Sequence, residues 1–341
     1  MQDLFGELIA LVATSTTAWT VLVFVFSLLV GSFLNVVIHR VPIMLEREWR
    51  TQARQILEEA DGGQRTAERH EEVNGGQRTA DGAEARHSPH PSDRQPPTSS
   101  LQPPASPYNL VVPRSACPKC GALITAAQNV PVISYLFLRG KCAKCGTKIS
   151  IRYPIVELVT AVLSAAVAWK FGFHWYTGAA LLLTWFLIAL TVIDFDTQLL
   201  PDNMTLPLMW IGLLLSIAGP DPVLGLPVTM KASIIGAAAG YLSLWSVYRL
   251  FKLLTGKEGM GYGDFKLLAA LGAWLGWKML LPIILLSALT GAVVGIALIV
   301  VRGRDRNIPI PFGPYLATAG WIALMWGDEL VGTYLRMSGF R

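Results

Sequence analysis

The stretch Leu181-Leu182-Leu183-Thr184-Trp185-Phe186-Leu187-Ile188-Ala189-Leu190-Thr191-Val192-Ile193-Asp194 decides how this chain folds. It ends a run over 175–193 that carries no charged side chain. About 20 mainly apolar residues suffice for one helix to cross a bilayer. Working outward, comparable runs occupy 15–38, 155–170, 204–219, 232–251, 265–277, 279–301 and 312–331. They predict an all-α polytopic membrane protein with about eight transmembrane helices. The segment 265–277 is short, and it counts as a crossing because Arg302, Arg304 and Arg306 then return to the basic side. No Lys or Arg precedes Arg40, and no small-residue cleavage site follows the first run. That run therefore reads as a retained first helix rather than a signal peptide.

Composition agrees with a lipid-embedded chain. Of 341 residues, 52% are hydrophobic and 15% charged, with a mean hydropathy of +0.46. A soluble chain carries about a quarter charged residues. The net charge of +5 does not indicate nucleic acid, because in a membrane protein excess Lys and Arg mark cytoplasmic loops. Arg40, Arg47 and Arg50 follow the first run, Lys141, Lys144, Lys148 and Arg152 precede the second, and Arg249, Lys252 and Lys257 follow the fifth. The stretch Gly219–Thr229 has neither residue. This bias places the N-terminus outside and the loop 40–152 in the cytoplasm, and counting onward puts 194–203 and 252–264 on the same cytoplasmic side.

The large loop has two parts, giving four regions in all: 1–40 as first helix, 41–110 as a cytoplasmic linker, 111–152 as a cysteine module, and 153–341 as a seven-helix membrane domain. Residues 51–107 are rich in Gln, Arg, Glu, Ser and Pro, and Gly-Gly-Gln-Arg-Thr-Ala occurs at Gly62–Ala67 and again at Gly75–Ala80. Such a stretch buries too little apolar area to offset its chain entropy and is expected to be largely disordered. His70, His87 and His90 read there as solvated linker residues rather than metal ligands.

All four cysteines fall in the module, as Cys117-Pro-Lys-Cys120-Gly121 and Cys142-Ala-Lys-Cys145-Gly146. A two-residue spacer lets two thiolates grip one tetrahedral zinc, and the following glycine permits the tight turn. The alternative, a pair of disulfides, needs an oxidising compartment, whereas the charge bias places this loop in the reducing cytoplasm. Four cysteines would fill the coordination sphere and leave no position for water, which makes the expected zinc structural.

A second constellation is acidic. Asp194 and Asp196 follow the apolar run, Asp202 follows Pro201, and Asp264 closes Gly259-Met260-Gly261-Tyr262-Gly263-Asp264. Carboxylates at membrane depth are costly and usually functional. Asp202 or Asn203 reads as a helix N-cap, and a cap would also serve for Asp264. Asp194 stands at a helix C-terminus, where the dipole disfavours a negative charge. Two carboxylates held together can share a proton, one taking a proton from water while the other donates to a scissile carbonyl. A proton-coupled transporter would also use intramembrane acids, but near the bilayer midplane and between repeated halves. The glycines before Asp264 fit no nucleotide-binding fingerprint and read as allowing close backbone approach to a substrate or to the opposing aspartate loop. Gly272–Gly276 and Gly291–Gly295 suit helix packing, and Glu157 suits a buried hydrogen bond.

The chain resembles the type IV prepilin peptidases. The resemblance rests on Gly31-Ser32-Phe33-Leu34-Asn35-Val36-Val37, the paired Cys-x-x-Cys turns, Arg152-Tyr153-Pro154-Ile155-Val156-Glu157-Leu158, Asp194 with Leu199-Leu200-Pro201-Asp202, Gly261-Tyr262-Gly263-Asp264-Phe265-Lys266, and Pro311-Phe312-Gly313-Pro314. It implies an aspartic peptidase domain over 153–341 with Asp194 and Asp264 catalytic. It also implies a bacterial inner-membrane location and cleavage of prepilins and type II secretion pseudopilins after a glycine that ends a short basic leader. N-methylation of the new terminus from S-adenosylmethionine follows from the same resemblance, as does partnership with the pilus or type II secretion machinery. Some relatives are peptidases only. The longer, repetitive 51–107 segment departs from the family pattern.

Overall fold

The computed structural model describes residues 14–75, 108–125, 127–219, 227–257, 259–302 and 311–337, with side chains omitted for 60–75, 127 and 334. Most of the repeat-bearing linker, including His87 and His90, lies outside the described residues, as do Arg304, Arg306 and most of the cation-poor stretch after Gly219. Among the described residues the fold is all-helical, with only two isolated β-bridges, both in the cysteine module.

Nine α-helices are described: α1 (Thr16–Gly75), α2 (Ile133–Phe137), α3 (Arg152–Phe171), α4 (Trp175–Thr197), α5 (Asp202–Leu215), α6 (Met230–Thr255), α7 (Tyr262–Leu275), α8 (Leu280–Arg302) and α9 (Gly313–Met337). Each of the eight apolar runs coincides with one of them. Five spans are long and apolar enough to cross a membrane: Thr16–Glu59, Arg152–Phe171, Trp175–Thr197, Met230–Thr255 and Trp277–Val301. The protein is therefore a multi-pass membrane protein. Asp202–Ala218 is apolar but shorter. At 14 residues, α7 is about 21 Å long, which is less than the hydrocarbon thickness of about 30 Å.

The short α7 sits where lipid does not reach it. Its residues Asp264, Phe265 and Leu267–Trp274 are all buried, and it packs against α5, α6 and α9. Helix α6 approaches closely because Gly236 and Gly272 face each other: a Cβ on Gly272 would lie 2.1 Å from the Gly236 oxygen. That is the packing role expected of Gly272. The Trp274 indole donates to the Leu208 carbonyl at 2.7 Å, tying α7 to α5. Its ring fills the space a side chain on Gly212 would need.

By contact the chain divides into Met1–Pro42 with Arg114–Arg341, and Ile43–Pro113. In the second unit α1 stays helical through Gly75, beyond the point where periodicity fails in the sequence. Strong helix formers explain the local preference in Glu46–Ala60. Pairs four apart add to it, with Arg50 donating to Glu46 at 2.6 Å and Gln52 to Glu48 at 3.5 Å. Pro42 lies inside this helix. Arg47 stacks over Tyr108 at 4.0 Å.

Candidate active site

The cysteine module folds as two matching turns. Gly121 N–H donates to Cys117 O and Gly146 N–H to Cys142 O, both at 2.9 Å. Both glycines have positive φ, 67° and 68°, which a larger residue would adopt only with strain. The turns bring all four Sγ atoms within 4.8 Å of one another, with Cys117 and Cys145 at 3.8 Å. Thiolates at about 2.3 Å from one tetrahedral ion stand about 3.8 Å apart, so the arrangement fits a metal. The Thr147 hydroxyl, 3.2 Å from Cys145 Sγ, leads the hydrogen bonding that holds this thiol down to about 6.

The module is pinned to the membrane helices by Glu157, which makes the buried hydrogen bond expected of it. Its Oε2 accepts the Val132 backbone N–H at 2.8 Å, and it bonds the Ser32 hydroxyl. Gly31 admits this contact, since a Cβ there would lie 2.7 Å from the Glu157 Cα. Asn35 of α1 adds a bond to the Tyr153 carbonyl at 3.1 Å.

The four acids separate into two kinds. Asp196 pairs with Arg152, and Asp202 receives Lys266 on both carboxylate oxygens at 2.6 Å. Their side chains stay 32% and 58% exposed. Asp194 and Asp264 are 5% and 7% exposed, and neither has a cation partner among the described residues. The N-cap expectations fail for physical reasons. Pro201 occupies the cap of α5, so Asp202 is the first helical residue and its carboxylate serves Lys266. Gly261 caps α7 with no side-chain bond, leaving Asp264 inside the first turn.

Three segments converge on the buried acids. Asp194 lies in the last turn of α4, which Gln198 ends in a left-handed conformation (φ 54°) while its N–H returns to the Asp194 carbonyl at 2.9 Å. A non-glycine residue held there stores backbone strain, as happens at functional sites. The chain then passes through buried Leu200, against which Gly263 of α7 is laid: a Cβ at 263 would stand 2.6 Å from the Leu200 Cβ. Gly313 opens α9 and donates its N–H to Asp194 Oδ2 at 3.0 Å. A Cβ at 313 would stand 2.6 Å from that oxygen. The α9 N-terminus thus offsets the unfavourable dipole of α4.

On the other side, α6 holds the start of α7 through a ring cluster of Tyr241, Tyr248, Tyr262 and Phe265, with centroids 5.4–5.9 Å apart. The Tyr248 and Tyr262 hydroxyls lie 3.3 Å apart. The result brings the Asp194 and Asp264 carboxylates near enough for their charges to interact. A pair of buried carboxylates at helix ends suits proton transfer to and from one bound water. A cavity of about 850 Å³ opens at the far ends of the same helices, lined by Lys170, His174, Trp277, Lys278 and Glu329, and it touches neither aspartate.

Sequence reading passed over Gly313, whose only signal was the Pro311-Phe312-Gly313-Pro314 stretch, and the two ion pairs that neutralise Asp196 and Asp202.

Comparison with known proteins matches residues 25–171 to the bacterial peptidase A24 N-terminal domain and residues 181–296 to the type IV leader peptidase family. The first span holds the four cysteines and Glu157, and the second holds both buried aspartates. A protein of Aeromonas hydrophila called prepilin leader peptidase/N-methyltransferase is 53% identical over 92% of this chain and 93% of its own length. Proteins of the same name from Pseudomonas aeruginosa and Neisseria gonorrhoeae are 48% and 46% identical, over 96% and 90% of this chain and 98% and 90% of their own lengths. No solved structure matches the chain. With two family models across most of its length and relatives near half identical from end to end, the chain belongs to the type IV leader peptidase family.

Proposed function

We propose that the protein cuts the leader from prepilins and pseudopilins with Asp194 and Asp264, and methylates the new N-terminus from S-adenosylmethionine. The observation that carries the peptidase reading is the division among four neighbouring acids. The two buried ones meet without a cation, while the two exposed ones are paired off. One ionised aspartate takes a proton from a bound water, whose oxygen attacks the scissile carbonyl carbon. The other aspartate donates its proton to the carbonyl oxygen. When the tetrahedral intermediate collapses, the amide nitrogen leaves with a proton and the pair returns to its starting state. Burial excludes competing water and strengthens each of these interactions.

The methyl-transfer half rests on the names of the relatives and on the cysteine module. In this reading Cys117, Cys120, Cys142 and Cys145 hold one structural zinc that closes the module and leaves no open position for water. Eight helices cross the inner membrane, with the N-terminus periplasmic and the aspartates at the cytoplasmic face, as the Lys and Arg distribution supports. A proton-coupled transporter fits less well, because Asp194 and Asp264 lie in terminal helix turns rather than mid-helix.

The test is incubation of the purified protein with a prepilin, with and without S-adenosylmethionine, followed by mass spectrometry. The expected product is the chain shortened after the leader glycine, gaining one methyl group only when the donor is present. An uncut prepilin in both arms would refute the peptidase reading.

A further inference from the structure

The cysteine module carries an apolar surface that its own fold leaves open. In α2, Ile133 is 52%, Leu136 68% and Phe137 85% exposed. Three large apolar side chains on one five-residue helix are hard to place in water. Around them the module is uniformly basic. From 113 to 152 the sequence has Arg114, Lys119, Arg139, Lys141, Lys144, Lys148 and Arg152, and no Asp or Glu. Arg152 is engaged by Asp196, whereas Arg139, Lys141, Lys144 and Lys148 are exposed.

The depth of α2 follows from the Glu157 bond. Helix α3 has 20 residues, about 30 Å, which matches the hydrocarbon thickness. Glu157 lies five residues inside its start, about 7–8 Å along the axis. Its side chain leans toward the helix N-terminus, so the Val132 amide it grips is level with the first turns of α3. Val132 immediately precedes α2. Ile151, just before α3, and Ile155 and Leu158 in its first turns are exposed, as a membrane-spanning helix is toward lipid.

We propose that α2 is an interfacial lipid-binding element: Ile133, Leu136 and Phe137 enter the boundary of the acyl chains while Arg139, Lys141, Lys144 and Lys148 meet anionic phospholipid headgroups. A helix with an apolar face and nearby cations, held in the plane of the interface, binds by these two contributions together. A cationic surface of this kind suits an anionic leaflet and repels a basic leader peptide, so lipid rather than substrate is the occupant.

The test uses the full, metal-loaded chain in nanodiscs containing a phospholipid with a photoactivatable group on its acyl chain. Adducts are mapped by mass spectrometry, with α8 as the internal control because Leu285, Leu289 and Val293 are exposed there. The peptide spanning 130–139 should be labelled, and several-fold more in discs containing phosphatidylglycerol than in pure phosphatidylcholine. Leu136→Ser with Phe137→Ser should lower labelling of that peptide several-fold and leave α8 unchanged. Lys141→Gln, Lys144→Gln and Lys148→Gln together should remove the phosphatidylglycerol dependence while metal content is retained. Labelling of α8 without labelling of 130–139 would overturn the proposal. So would labelling of 130–139 that phosphatidylglycerol leaves unchanged, or adducts that a prepilin apolar segment displaces completely, which would assign the surface to a protein.

Discussion

The four cysteines lie within residues 117–145, whereas the aspartate junction draws on chain segments around 194, 263 and 313. The cysteine module is closed by turns a few residues long, and its chemistry is largely local. Each Cys-x-x-Cys turn already forms the geometry, and a metal would join the two halves. The junction has no such local logic. Its glycines are read only by their neighbours across the fold: Gly263 by Leu200, Gly313 by Asp194. A local site is therefore sensitive to loss of a ligand, and a convergent one to any atom added where backbones meet.

That contrast sets an order of expected effects. Asp194→Asn should lower prepilin cleavage by at least about 10³-fold, the scale on which acid–base groups contribute. The protein should still insert in the membrane and hold its metal, which metal analysis of the purified variant checks. Gly313→Ala should cost about 10²-fold, since a displacement of about an ångström suffices for that. The added Cβ would fall 2.6 Å from Asp194 Oδ2. The measurement is kcat with KM alongside, and a native kcat would break the account of the junction.

Cys120→Ser tests the other region. It should strip the metal and make the module an early target of limited proteolysis, while cleavage falls by less than about tenfold, or 1.4 kcal/mol of barrier. Equal loss of cleavage in Cys120→Ser and Asp194→Asn would show that the regions do not act separately. The smallest effects belong to Asp196→Asn and Asp202→Asn. Exposed ion pairs contribute about 0.2–1 kcal/mol, so cleavage should change by less than about fivefold.

The same contrast explains what the sequence disclosed. Apolar runs located the membrane helices, because lipid imposes one composition over a fixed length. Spacing located the four cysteines whose Sγ atoms the fold gathers within 4.8 Å of one another. Asp194 drew attention because a carboxylate at a helix C-terminus is locally unfavourable. What escaped was everything set by distant partners. Asp202 passed for a cap because Lys266, 64 residues away, is invisible in its neighbourhood. The N–H that steadies Asp194 belongs to a residue 119 positions on. The extension of α1 beyond its apolar run escaped for another reason: Glu46–Ala60 has helix propensity without apolar periodicity.

The proposed catalytic role of Asp194 and Asp264 rests on burial without a cation partner, which separates them from Asp196 and Asp202. It is met most directly by single-turnover cleavage of one prepilin by the Asp264→Asn protein, in the same nanodiscs and at the same metal content as the native chain. A rate lowered by at least about 10³-fold is the predicted result. Cleavage at the native rate would contradict it and leave Asp264 as nothing more than an acidic residue in the first turn of α7.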